Sequence, residues 1–313
     1  WGFGMHAISY AYIVSLRSIR DSLYPMYVSA IALIANTVLN YGLIFGNFGL
    51  PQLGVEGAAI ATTISRFIEA GFMIYSVYFG SRFVLRAKLE DFRNIETSFL
   101  SRYFKIALPV IFNEGLWGLG TVMLSVAYAQ IGTQAVAVSQ VASTINDLMM
   151  VLAFGIASSS STILGNKLGE GAMDVAVFYS RRIMAMAIVL GFVTSGGILV
   201  FRPLIPTFFR LEPESIEDIK RILLVKAAFS PLITFNWTNV IGILRSGGDT
   251  FAGLMLDIIP LWFVAVPVSF AWALYFGWPI EIVILAGSME EVIKMAFGVP
   301  RVLKNKWVNN IAV

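Results

Sequence analysis

The chain has 313 residues, 58% of them hydrophobic and only 13% charged, with a net charge of +3 and no cysteine. Soluble domains carry about 25% charged residues, so an ordinary water-soluble core is excluded, as is intrinsic disorder, which needs low hydrophobicity and high charge. A disulfide scaffold is excluded as well, and a single histidine, His6, leaves no pair for metal or triad chemistry.

A transmembrane barrel would show alternating segments of about 10 residues; the apolar residues here fall into long continuous runs. A spanning helix needs about 20 apolar residues, and in lipid its backbone groups must be satisfied within the segment. In chain order the predicted elements begin with a short run, Trp1–Leu16, read as a truncated span. Eight spans follow: Tyr24–Gly46, Val55–Phe79, Ile106–Tyr128, Ala135–Leu164, Ile183–Phe201, Ile222–Leu244, Phe251–Phe276 and Pro279–Gly298. The first residue is Trp1 and no leader pattern precedes the first run, so the chain reads as a piece without its original N-terminus. The one long polar connection, residues 80–105, carries Leu89, Phe92, Ile95, Phe99 and Tyr103 at helical spacing and reads as an interfacial amphipathic helix.

Basic residues orient the spans. Counting connections from the one after Trp1–Leu16, the odd connections and the C-terminal tail hold fifteen Lys and Arg, and the even connections hold four. Positive charge marks the cytoplasmic side, so the odd connections and the C-terminus are expected in the cytoplasm.

A repeat is visible. Residues 16–22 are Leu-Arg-Ser-Ile-Arg-Asp-Ser and residues 244–250 are Leu-Arg-Ser-Gly-Gly-Asp-Thr. Each follows an apolar span and precedes another, on the same predicted membrane face, which points to a parallel repeat of the kind that builds two-lobed transporters. The expected role of Arg17, Asp21, Arg245 and Asp249 is structural: the Asp caps the next helix, and the Arg holds the last carbonyls of the preceding helix or a lipid phosphate.

Ile243 to Thr250 resembles the signature before the eleventh helix of MATE (multidrug and toxic compound extrusion) transporters. Leu39 to Gly46, followed by Gly54 to Ala59, is similar to that family's fifth helix and the start of its sixth. Ala107-Leu108-Pro109 opens a span as the seventh helix does, and Gly165 to Gly169 is similar to the turn after the eighth. The resemblance implies an all-α integral membrane fold, with about eight complete spans plus a partial one left from twelve helices in two lobes. Residues 1–80 would be the end of helix 4 with helices 5 and 6 of the N-lobe, 81–104 a cytoplasmic linker, and 105–313 the C-lobe with helices 7 to 12. It further implies a multi-pass protein of the cell membrane, a monomer and not an enzyme. Such a protein exports organic cations or amphiphilic compounds in exchange for Na⁺ or H⁺ by rocker-switch alternating access. It needs no cofactor beyond the coupling ion and binds no nucleic acid.

Ionisable groups inside spans are costly and default to function. Glu114 lies one helical turn after Pro109, beside Asn113, with Trp117 and Thr121 on its face. A carboxylate next to an aromatic attracts organic cations and suits a coupling proton or a Na⁺ ion. Asp257, three residues before Pro260, is expected to pair with Lys226 or an Arg near the cytoplasmic end. Asp147 shares a helix face with Gln140, and Asn36 with Asn40, as candidate polar linings. Glu69 and Arg66 are spaced to neutralise each other, and Glu290, Glu291 and Lys294 to snorkel or pair near the cytoplasmic end. Gly57, Ala61 and Ser65 form a small-residue packing row.

Two departures from the family pattern stand out. In many members a coupling glutamate falls eight residues after the proline of the seventh helix; here that position is Trp117. Many members also carry an acid in the tenth helix, where this chain has Thr234, Asn236 and Asn239. The rival reading is a flippase for lipid-linked oligosaccharides, which calls for a more cationic interior than these acid-rich spans offer.

Overall fold

The computed structural model describes residues 2–80, 85–88, 90–91, 95–204 and 213–309. Among these residues the structure is helical, with no strand. Contacts divide the chain into two compact units, Trp1–Glu96 and Thr97–Val313.

The first unit holds α1 (Gly2–Ser18), α2 (Leu23–Phe45) and α3 (Gly54–Tyr78). Ile13, Leu16, Val28 and Met73 form its core. The small-residue row lies buried on α3, because α2 passes close to it. A Cβ at Gly57 would stand 2.5 Å from the Leu43 carbonyl oxygen, so only glycine fits there. Leu89 and Phe92 of the predicted interfacial helix lie outside the described residues; Phe99 and Tyr103 fall in the first turns of the next long helix.

The second unit starts with α4 (Thr97–Ala129), α5 (Thr133–Gly169) and α6 (Met173–Phe201). α7 (Pro213–Trp237) runs on through a π-helical stretch, Thr238–Leu244. α8 comprises Thr250–Pro260, a π-helical turn Leu261–Ala265 and Val266–Leu274. The widened turn follows Pro260, whose missing N–H leaves a carbonyl without its usual partner. α9 (Ile280–Ser288) and α10 (Glu290–Leu303) complete it. One core joins α5, α7 and α9 through Val138, Ala142, Ile222 and Ile284. Another joins α5, α6, α7 and the tail through Leu164, Ile183, Phe235 and Trp307.

Among the described residues six helices are long and apolar enough to cross a membrane: Leu23–Phe45, Gly54–Tyr78, Thr97–Ala129, Met173–Phe201, Ser215–Leu244 and Thr250–Leu274. A seventh candidate is α5, whose halves Thr133–Leu148 and Met150–Gly169 meet at 43°. The eighth predicted span, Pro279–Gly298, is instead two short helices joined at Met289, whose amide donates to the Ala286 carbonyl at 3.2 Å in a tightened turn. Large apolar side chains are exposed on these helices, Phe192 and Phe263 among them.

Both copies of the repeated motif form the same helix-ending turn. The Arg20 amide donates to Arg17 O at 3.0 Å and the Asp21 amide to Leu16 O at 3.0 Å. In the second copy Gly248 donates to Arg245 O at 3.1 Å and Asp249 to Leu244 O at 2.9 Å. Arg20 and Gly248 both take left-handed backbone, with φ of 67° and 73°. The leucines that open the two motifs are fully buried.

Candidate functional site

In the second unit a connected set of polar groups runs through α4, the α7–α8 turn, α8 and α10. It begins at Glu114, whose Oε1 accepts from Arg245 Nη2 at 2.6 Å; the Glu114 side chain stays 56% exposed. The neighbouring Asn113 is buried and bonds in both directions. Its amide oxygen accepts from Arg245 Nη2 at 2.7 Å, and its amide nitrogen donates to Asp257 Oδ2 at 3.2 Å. A side-chain amide carries both an acceptor and donors, so it can accept from a guanidinium and donate to a carboxylate at once.

From Asp257 the set continues to Lys294, which is only 4% exposed. The ammonium lies 3.7 Å from Asp257 Oδ1, 3.4 Å from Glu290 Oε1 and 3.4 Å from Glu291 Oε1. Asn236 Nδ2 then donates to Glu291 Oε2 and to the Glu291 carbonyl, both at 2.8 Å. Lys226 interacts electrostatically with Glu291, Asp147 and Glu290. Oxygen acceptors remain beyond these bonds: Glu290 Oε2 and Asn236 Oδ1 are buried without a hydrogen-bond partner. Removing charges from water costs several kcal/mol per ion, and the grouping offsets that cost by giving each charge an opposite neighbour.

The structure therefore brings together Glu114, Asn113, Asp257 and Asn236, with Asp147 within electrostatic reach. It corrects one expectation: Asp257 pairs with Lys294, not with Lys226 or an arginine, because α10 turns its charged face inward. For the same reason Glu290, Glu291 and Lys294 are buried, and of the two arrangements expected for them, snorkelling or pairing, they take pairing. Trp117 meets Trp237 edge-on, with ring centroids 6.4 Å apart. Gln140 stays exposed, and its backbone carbonyl accepts from Thr144 Oγ1. Among the described residues no group of three or more His, Cys, Asp or Glu side chains is arranged to hold a metal ion. At Glu114 the charge facing the carboxylate is the Arg245 guanidinium.

The motif residues divide their work. Asp21 Oδ1 accepts from the Tyr24 amide at 3.3 Å, capping α2. Asp249 instead binds Arg301, with Nη2 at 2.8 Å from Oδ1 and a second bond from Nε. That pair fastens the C-terminal tail, whose Trp307 is fully buried and whose Asn309 amide donates to Gly247 O at 3.2 Å. Arg245 reaches across to α4 and does not hold helix-end carbonyls through its side chain.

In the first unit Asn40 donates to Asn36 Oδ1 at 3.1 Å, and Asn36 donates to Ser65 Oγ at 3.4 Å. Nearby Glu69, 3% exposed, accepts from Ser9 at 3.1 Å, Ser29 at 2.8 Å and Arg66 at 2.9 Å.

Sequence reasoning treated Lys294 and its two glutamates as peripheral. The signal available was three charges within five residues of an apolar segment, with the two glutamates four and three residues before the lysine and so one helical turn from it.

Residues 109–271 match the family model described as MatE. A probable multidrug resistance protein NorM of Thermotoga maritima is 28% identical over 278 residues, 88% of this chain and 58% of that protein. An uncharacterised transporter YisQ of Bacillus subtilis is 26% identical over 277 residues, 87% of this chain and 59% of that protein. The chain thus spans somewhat over half the length of these curated relatives. A Vibrio cholerae MATE transporter structure has the same fold, with a TM-score of 0.80 at 19% identity over 97% of this chain and 67% of that one.

Proposed function

The chain belongs to the MatE family, whose members are transporters and not enzymes, and is a multi-pass membrane protein; from that premise we propose that it serves as part of an ion-coupled exporter of organic cations or amphiphilic compounds. Export would be driven by Na⁺ or H⁺ entry through rocker-switch alternating access, in the cell membrane, by a monomer with a cytoplasmic C-terminus. The observation that carries this reading is the continuous polar set from Glu114 through Arg245, Asn113 and Asp257 to Lys294. Hydrogen-bond and salt-bridge networks of this kind are one of the physical routes that carry coupling between sites. Cation entry at a carboxylate would release its protein partner, and whatever that does to substrate affinity, substrate must do in return to cation affinity. Carboxylates outnumber the cations they face, since Glu114, Asp257, Glu290, Glu291 and Asp147 meet Arg245, Lys294 and Lys226. That balance favours cationic cargo over the pyrophosphate of a lipid-linked oligosaccharide.

The test is efflux of a fluorescent organic cation from proteoliposomes holding the full-length gene product, under an imposed Na⁺ or H⁺ gradient. Glu114→Gln keeps an acceptor for Arg245 but removes the charge. Gradient-dependent efflux should disappear while the purified variant elutes as the parent does. Parent-like efflux from both Glu114→Gln and Asp257→Asn would exclude the polar set from coupling.

A further inference from the structure

On the outer side of the second unit, α8 and α10 run antiparallel and leave a groove between them. The Asp249–Arg301 and Asp257–Lys294 pairs set their opposite directions; Phe251, Met255 and Ile259 of α8 face the groove, as do Ile293, Phe297 and Arg301 of α10. The groove-facing residues line one cavity of 530 Å³. Eight residues of α8 separate Phe251 from Ile259, so at 1.5 Å per residue the groove is about 12 Å long. Its walls are apolar along that length, with Phe251, Ile259 and Phe297 all largely exposed. At one end only, the lining changes to Arg301, Lys304 and Lys306, and no carboxylate is among the lining residues.

We propose that this groove binds an anionic phospholipid, its phosphate held by Arg301, Lys304 and Lys306 and an acyl chain laid along Phe251, Met255, Ile259 and Phe297. The site is built, not just charged. Arg301 is fixed by Asp249 through Nε and Nη2, which leaves Nη1 outside that pair. Lys304 and Lys306 are exposed at the same end. The first turn of α8, starting at Thr250, opens at the basic end and adds the positive end of a helix dipole. A zwitterionic lipid would fill the same apolar trough but would lose most of the attraction to the three cations. Basic pockets between spans on the cytoplasmic side are where anionic headgroups collect. Assignment to the cytoplasmic leaflet rests on the orientation proposed from loop charges; the site itself does not depend on transport.

The experiment is native mass spectrometry of the purified protein, offered phosphatidylglycerol or phosphatidylcholine at equal concentration, with inorganic phosphate as competitor. Phosphatidylglycerol should be retained in preference, and inorganic phosphate should not displace it. Each lysine near an anionic headgroup contributes about fivefold in affinity, so Lys304→Gln with Lys306→Gln should cut retention about 25-fold. Ile259→Trp, which fills the trough and leaves the cations in place, should lower retention of both lipids. Equal retention of the two lipids by the parent would overturn the proposal. So would unchanged phosphatidylglycerol retention in the lysine variant, and displacement by inorganic phosphate would show a plain anion site in its place. None of these readouts involves efflux, so failure of the export reading and failure of the lipid site are separate results.

Discussion

In the first unit Ser29, eight residues after Asp21, donates to Glu69 at 2.8 Å; in the second, Asp257, eight residues after Asp249, lies 3.7 Å from Lys294. Glu69 and Lys294 each close an i, i+3 charge pair on a later helix, with Arg66 and Glu291 respectively. The same register of a repeated motif therefore supports two buried clusters of opposite central sign. Their surroundings differ accordingly. Glu69 is satisfied by two hydroxyls and one arginine that reaches the surface, so its cluster is neutral and local. Lys294 is held by three carboxylates on two helices, and these connect onward to Asn113, Arg245 and Glu114. The acceptors of Glu69 are met locally by Ser9, Ser29 and Arg66, whereas the carboxylates around Lys294 have acceptor positions left over that take further donors, Asn113 at Asp257 and Asn236 at Glu291.

The widest gap between the clusters should appear on removing the central charge. Lys294→Met leaves Asp257, Glu290 and Glu291 crowded without the cation they all contact, and breaking such a pairing costs about 3–5 kcal/mol. Thermal unfolding in detergent should show that loss, with much of it restored by adding Glu291→Met. Equal melting of Lys294→Met and the parent would mean that the cluster is not held by its charges.

A second contrast lies in the turns. Gly247 and Ile19 are equivalent in the motif, but a Cβ at Gly247 would fall 2.0 Å from the Trp307 carbonyl oxygen, where the tail packs. Gly247→Ile should cost about 1–3 kcal/mol as overpacking and should expose Trp307, seen as a red-shifted fluorescence component. Ile19→Gly should change stability by less than about 1 kcal/mol.

Glu69→Gln should cost about 1–2 kcal/mol, less than the lysine change, because the amide oxygen still accepts from one of the two serines, which bond to different carboxylate oxygens. A loss as large as that of Lys294→Met would erase the distinction between a local and an extended cluster.

The smallest effect concerns backbone strain. Arg20 holds a left-handed conformation that costs a side-chain-bearing residue about 1 kcal/mol or more, while Gly248 adopts it freely. Arg20→Gly should raise the melting temperature slightly, and Gly248→Ala should lower it.

The spans were legible because a bilayer imposes a length and a polarity that one-dimensional text can show, and the repeat because Leu, Arg, Ser and Asp recur in order. The eighth span is built from two consecutive helices, α9 and α10. Hydropathy measures apolar content and not continuity, so the break at Met289 left no trace in it. Asn113, Glu114, Asp257 and Asn236 stood out as polar residues in apolar runs. Their partners did not, since Arg245 lies 131 residues from Glu114 along the chain.

By itself the sequence determined that this chain is a set of lipid-embedded helices carrying a duplicated turn, because helix length, loop charge and motif identity are local properties. Only the tertiary structure decided that Lys294 sits among three acids and that Trp307 folds beneath the second turn. Which way a helix face points depends on the neighbours it packs against, and a charge's partner is set by that packing, not by its place in the chain.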